Sequence, residues 1–365
     1  MRKRWLTLAA LAVATVLLAS MFAAMRGSSA SAAHKAAFSA CLVTDIGGLN
    51  DKSFNHLAFV GLQAAEKSGV KGRVIQSKSP ADYIPNLKAC VQSGAGVTIG
   101  VGFLMTDAMD AIASSYPKNK FAIVDVDVTF MKHKPKNVQG LLFKEQEAGY
   151  LVGYAAGLWA KSKGGTAVGS VGGLKIPPVD RYIAGYQFGA KKAFPGLETL
   201  NDYSQDFVVQ AKCKEKALNQ IAQGSVVEFQ VAGQCGLGVL DAARSKSIFG
   251  IGVDADQGYL GSHVLTSALK KVDVSVSSAI AAAKAGTLKG GADVIFDAKV
   301  NGVGYGKWSS KAPASIKAAV AAQFVLLKAG KVKGIPATVT ETDRQGVSHG
   351  AGRRGPPRLF WRTCG

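Results

Sequence analysis

Cysteine is scarce in this chain of 365 residues. There are five, no two of them spaced as Cys-x-x-Cys, and the five histidines are equally scattered. Without paired soft ligands the sequence argues against a metal site. It also lacks a Walker phosphate loop and the Asp-x-Asp-x-x-x-Asp-Asp cluster of metal-dependent hydrolases, so no cofactor is expected and binding without chemistry is favoured over catalysis. Acidic residues are few, 24 against 44 Lys and Arg. No internal repeat runs through the body, and with 48% hydrophobic and 19% charged residues it is neither disordered nor, beyond its start, a membrane protein.

The two ends differ from the body. Arg2, Lys3 and Arg4 precede an apolar run from Trp5 to about Ala24, followed by small residues from Ser28 to Ala33. That is the layout of a secretory signal peptide over residues 1–33, or of an uncleaved anchor, and either implies export to the cell envelope. The last 25 residues turn Arg-, Gly- and Pro-rich, and 341–365 read as a disordered or aberrant tail. Of the twenty excess positive charges, four lie in Arg2, Lys3, Arg4 and Arg26, three in the last 25 residues and thirteen in the body. An exported basic protein is drawn to an anionic, membrane-associated setting. Lysines spread over helix faces, as at Lys212, Lys214 and Lys216, argue against nucleic acid.

Export permits disulfides. Cys213 opens a helical segment and Cys235 follows the apolar strand Val226 to Val231, so the two belong to one βα unit and are expected to pair. Cys41, at the end of one strand, and Cys90, on the helix before the next, also come within reach of each other.

β-Branched apolar runs, such as Ala40 to Val43, Val97 to Val101, Phe121 to Val124, Ala167 to Val171 and Ile248 to Val253, alternate with helical patterns such as Phe54 to Lys67 and Tyr182 to Phe194. This alternation predicts an α/β fold of parallel sheets wound by crossover helices. Two sets, breaking near Gln139 to Phe143, give two Rossmann-like lobes: 40–142 with 271–294, and 143–270 with 295–340.

Residues 43 to 55, Val-Thr-Asp-Ile-Gly-Gly-Leu-Asn-Asp-Lys-Ser-Phe-Asn, join a buried strand end, a glycine turn and a helix start that Asp51 or Ser53 caps. In open α/β sheets ligands sit beyond the carboxyl ends of the strands, which places Asp45, Phe54 and Asn55 at such a crevice. A plain structural turn is the alternative, and Phe54 could equally face the core with Leu57. Asp125 and Asp254 both end apolar strands, where a carboxylate meets either vicinal hydroxyls or a helix start. Asp127 and Asp256, two residues on, are expected to be structural partners.

This stretch resembles the opening motif of the basic membrane protein family of extracytoplasmic solute-binding proteins, which includes the purine nucleoside receptor lipoproteins of bacterial ABC transporters. The resemblance continues through Phe143-Lys144-Glu145-Gln146-Glu147-Ala148-Gly149, Gly169-Ser170-Val171-Gly172-Gly173, Val231-Ala232-Gly233-Gln234-Cys235-Gly236 and Gly250-Ile251-Gly252-Val253-Asp254, and covers roughly residues 38 to 340. It implies a type I periplasmic binding fold whose chain crosses three times between lobes. It also implies a nucleoside, purine above all, stacked between Phe54 and Phe207, with Asp125 and Asp254 on the ribose. Gly233 admits backbone amides, Lys270 reaches the site or stays in solvent, and Asp45 and Asn55 read the base edge. The implied partner is an ABC permease. A ribose-like sugar or riboflavin is the alternative ligand, and a nucleoside-processing enzyme the alternative class. Family members are often lipoproteins, but Cys41 leads without a tether into the first strand and fits a lipidation site poorly.

Overall fold

The apolar runs fold as strands in the computed structural model, which describes residues 37–339. The expected signal peptide 1–33, the tail 341–365 and Cys364 lie outside the described residues. In chain order come β1 (Ser39–Val43), α1 (Phe54–Glu66), β2 (Lys71–Ile75), α2 (Tyr83–Gln92), β3 (Val97–Val101), α3 (Thr106–Ser115), β4 (Phe121–Val124) and β5 (Val138–Phe143). A second set follows: α4 (Glu145–Lys163), β6 (Ala167–Gly172), α5 (Pro177–Ala193), β7 (Glu198–Tyr203), α6 (Gln210–Ala222), β8 (Ser225–Val231), α7 (Leu237–Ser245), β9 (Phe249–Asp254) and β10 (Val264–Lys270). The chain then adds α8 (Val272–Ala285) and β11 (Ala292–Phe296), and finally β12 (Val303–Tyr305) and α9 (Ala314–Lys328).

Two six-stranded sheets result. The first has the order β11-β5-β4-β3-β1-β2, parallel throughout. The second has the order β12-β10-β9-β8-β6-β7, parallel except for β12, which runs antiparallel to β10. Central strands such as β3 and β9 are buried along their whole length, as expected where helices cover both faces.

The expected lobe limits shift in two places. Residues 139–143, read as the break between lobes, form most of β5, in which Leu141 pairs with Val124 and Phe143 with Phe296. Gln139 and Gly140 interrupt the apolar run and disguise the strand. Ile295 and Phe296, expected in the second lobe, therefore belong to the first sheet. The chain passes between sheets at Lys144, at Lys271 and across 297–302.

Helices α4 and α5 pack backbone to backbone. A Cβ placed on Gly149 or Gly153 would run into the carbonyl oxygens of Tyr182 and Tyr186, so only glycine permits this approach. The contact fixes the start of α4, with Glu145, against the stretch of α5 that carries Arg181 and Tyr182; Arg181 Nη1 lies 3.3 Å from Glu145 Oε2.

Disulfides join Cys213 to Cys235 and Cys41 to Cys90, each with Cα atoms 5.6 Å apart. Cys41 is buried in β1, and a sulfur held in a disulfide has no valence for a lipid thioether. Among the described residues no helix is long and apolar enough to cross a membrane.

Candidate functional site: a cleft between two parallel sheets

The carboxyl ends of β1, β3 and β4 in the first lobe and of β8, β9 and β10 in the second converge on one cavity, at the place where open α/β sheets hold their ligands. All eight residues singled out from the sequence line it: Asp45, Phe54, Asn55 and Asp125 from the first lobe, and Phe207, Gly233, Asp254 and Lys270 from the second.

Lys270, the last residue of β10, is only 2% exposed. Its ammonium reaches across to Asp125, 2.6 and 2.7 Å from the two carboxylate oxygens, and to Glu145 Oε1 at 3.0 Å. The rings of Phe143 and Phe54 face it at 4.9 and 5.0 Å. Burial alone would pull this amine down, but Asp125, Glu145 and Asp254 outweigh it and hold the lysine charged well above its ordinary range. It is not the solvated lysine that the sequence left open. Burial pushes Asp254 up to about 6, against the pull of Lys270, and Glu145 rises for the same reason.

Asp125 and Asp254 occupy matching places in the two lobes. Each follows an apolar strand run, and each adopts a left-handed backbone, with φ of 69° and 59°. Two residues on, Asp127 accepts the N–H of Thr129 at 2.9 Å, and Asp256 accepts those of Gly258 and Lys307 at 3.2 and 3.3 Å. The second aspartate of each pair thus builds its turn, as expected, while the first faces the cavity. Asp254 is gripped from both lobes: Ser53 donates to Oδ2 at 2.9 Å and Tyr182 to Oδ1 at 3.0 Å. Each oxygen retains a further lone pair for a ligand hydroxyl.

On the first lobe Phe54 opens α1 with Asp51 as its cap. The Asp51 carboxylate, not Ser53, accepts the N–H groups of Ser53, Asn55 and His56 at 3.0, 2.7 and 3.1 Å. Asn55 donates its amide to Asp45 at 2.7 Å, and burial pushes Asp45 up to about 6.

Phe207 lies between β7 and α6, its carbonyl accepting the N–H of Cys235 at 3.0 Å. Gln205 and Asp206, just before it, have local work. Gln205 takes a left-handed turn, and Asp206 accepts from Val208 and Val209 at 2.8 and 2.9 Å at the start of α6. Gly173 clears space beside the ring, since a Cβ there would collide with it, and Gly233 takes a left-handed backbone beside the same residue.

Sequence reasoning missed Tyr182, Glu145 and Gly102. Glu145 sits in a stretch quoted above for its resemblance, but nothing in its spacing says that it faces Lys270. Tyr182 falls within an amphipathic helix, where a buried tyrosine reads as core.

Comparison with known proteins gives this geometry a lineage. The Bmp family, described as ABC transporter substrate-binding protein PnrA-like, matches residues 38–324. The ABC transporter nucleoside-binding protein BmpA of Lactococcus lactis subsp. cremoris is 33% identical over 355 residues, covering 91% of this chain and 99% of its own. The CD4+ T-cell-stimulating antigen of Listeria monocytogenes is 35% identical over 290 residues, 73% of this chain and 79% of that one. Among solved structures, an ABC transporter system solute-binding protein from Aeropyrum pernix K1 superposes with a TM-score of 0.74 at 26% identity, covering 82% of this chain and 94% of its own. With the match running from β1 into α9 and taking in both walls of the cleft, the chain belongs to the Bmp family of PnrA-like ABC transporter substrate-binding proteins.

Proposed function

We propose that the cleft captures a nucleoside, a purine nucleoside above all, and hands it to an ABC permease at the outer face of the cytoplasmic membrane. As a substrate-binding protein of this family the chain is not an enzyme, and it works outside the cytoplasm with a ligand and a permease as partners. The observation that carries the nucleoside reading is the pairing of one aromatic ring from each lobe, Phe54 and Phe207, with an acid–lysine cluster in the same cavity. Rings on both sides suit a flat base, each stacked face contributing about 1 kcal/mol beyond area burial. Asp125, Asp254 and Lys270 suit vicinal hydroxyls. The BmpA relative, named for nucleoside binding, supports the same ligand class.

A thermal-shift series with adenosine, guanosine, inosine, free ribose and riboflavin tests this. A ligand bound only by the folded protein raises the midpoint according to RT ln(1 + [L]/Kd). The purine nucleosides should raise it and ribose should not. Stabilisation by ribose or riboflavin with no response to any nucleoside would refute the assignment.

A further inference from the structure

On the side of Phe54 away from Lys270, the Asp45 and Asn55 side chains offer acceptors and no donor. Asn55 spends both amide hydrogens on carboxylates, giving one to Asp45 Oδ1 at 2.7 Å and one to Asp51 Oδ2 at 3.2 Å. Turning the amide over would press its carbonyl oxygen against two carboxylates, so its orientation is fixed. Asp51 is itself immobile, tied by three backbone N–H groups at the start of α1. What remains of Asn55 is Oδ1, fully buried and without a protein donor. Asp45 is used one-sidedly too, since the N–H of Gly47 at 2.9 Å and the Asn55 amide both fall on Oδ1. Oδ2 lies beside Gly102, where a Cβ would come within 2.8 Å of it and 3.3 Å of Phe54 Cε1. The free carboxylate oxygen therefore sits at the rim of the ring on which a base would stack.

Resting on the nucleoside reading, we propose that this acceptor-only edge selects a base presenting adjacent N–H donors, a 2-amino-6-oxopurine such as guanine, over a 6-aminopurine, and that Asp51 is the positioning residue that sets it. Guanine offers N1–H and a 2-amino group, adjacent donors for the two free acceptors, Asp45 Oδ2 and Asn55 Oδ1. Hypoxanthine offers N1–H alone. Adenine offers these oxygens its 6-amino group alone and turns beside it the lone pair of N1, to which an ionised carboxylate and an amide oxygen have no hydrogen to give. A bidentate match of this kind discriminates by about 1–3 kcal/mol, roughly five- to 150-fold.

Calorimetric titration of the purified full chain with guanosine, inosine, adenosine and 1-methylguanosine tests it. Guanosine should bind at least about tenfold more tightly than adenosine, with inosine between them. 1-Methylguanosine, lacking the N1 hydrogen, should lose most of that advantage. In Asp51→Asn the Asn55 amide is free to turn, so the guanosine-to-adenosine ratio should fall toward one, whereas a merely structural loss would weaken both equally. Adenosine binding as tightly as guanosine, or methylation at N1 without effect, overturns the proposal while leaving the nucleoside site standing; an unchanged ratio in Asp51→Asn overturns the role of Asp51. No response to any nucleoside overturns the cleft assignment itself. The methylated ligand decides on the unaltered protein should the variant not fold.

Discussion

Replacing Lys270 by methionine removes one positive charge and leaves the volume nearly filled, which isolates the electrostatic role of the cleft lysine. In the intact protein the ammonium stands 2.6 Å from Asp125 and 3.0 Å from Glu145, with Asp254 also close enough to feel it. Without it Asp125 and Asp254 lose their nearest counter-charge, and Glu145 keeps only Arg181, 3.3 Å from its other oxygen. Breaking a buried pair from one side costs about 3–5 kcal/mol, a drop in midpoint of roughly 5–10 °C for a body of this size. The loss should depend on pH. The lysine's folded pKa lies above its unfolded value, so its stabilising effect is complete below the unfolded pKa, is lost only as pH rises through the folded one, and is constant between pH 5 and 8. The carboxyls act with the same sign in a lower window: Asp254 already sits at about 6 and Glu145 is raised, and both rise further in the variant. Between an unfolded value near 4 and those folded values the native state holds the extra protons, so stability falls as pH rises. Lys270→Met should therefore be far less stable than the parent at pH 7.5 and approach it near pH 4.5. Urea unfolding at the two pH values measures this, and a pH-independent deficit, or one below about 1 kcal/mol at pH 7.5, would refute the reasoning.

Neighbouring aspartates should separate binding from folding. Asp254→Asn keeps the left-handed backbone but removes a charged partner, and should weaken nucleoside binding roughly thirtyfold or more; Asp256→Ala should leave affinity unchanged and lose about 1 kcal/mol of stability. Calorimetry with the best nucleoside, alongside thermal melts, checks both, and the reverse pattern would mean that the wrong carboxylate has been placed in the cleft. Peptide mapping without reductant should recover Cys41 joined to Cys90 and Cys213 joined to Cys235. Opening either bridge, which closes a loop of 49 or 22 residues, should cost about 3–4 kcal/mol. A free or acylated Cys41 would contradict this.

The legible part of the site is the part carried by strand ends. Asp125 and Asp254 follow apolar runs that can only be buried strands, and in a parallel sheet the carboxyl ends share one side, so both fall in the cleft. Phe54 was harder, because α1 turns its ring toward both the core and the cavity, and periodicity alone does not choose between them. Tyr182 and Glu145 were not legible at all. Their place depends on how closely α4 approaches α5, which is set by glycines spaced along both helices rather than by anything at the two residues. The lobe limits went astray for a related reason. Edge strand β11 is largely exposed and β5 carries Gln139 and Gly140, so neither shows the unbroken apolar pattern of a central strand. Their pairing, Leu142 with Ile295 across more than 150 positions of chain, is a tertiary fact.

The left-handed backbone at Asp125 and Asp254 changes how substitutions there should be interpreted. Few residues tolerate that conformation: glycine freely, asparagine and aspartate at small cost, and any β-branched or bulky residue badly. A chain that had lost all use for a ribose would still be biased toward Asp, Asn or Gly at both places by its turns. Finding aspartate at these two positions in another member of the fold is thus weak testimony about its ligand. Lysine at the end of β10 is stronger testimony, because its backbone permits many residues, and burying a cation there is worthwhile only where the carboxylates facing it have a function of their own.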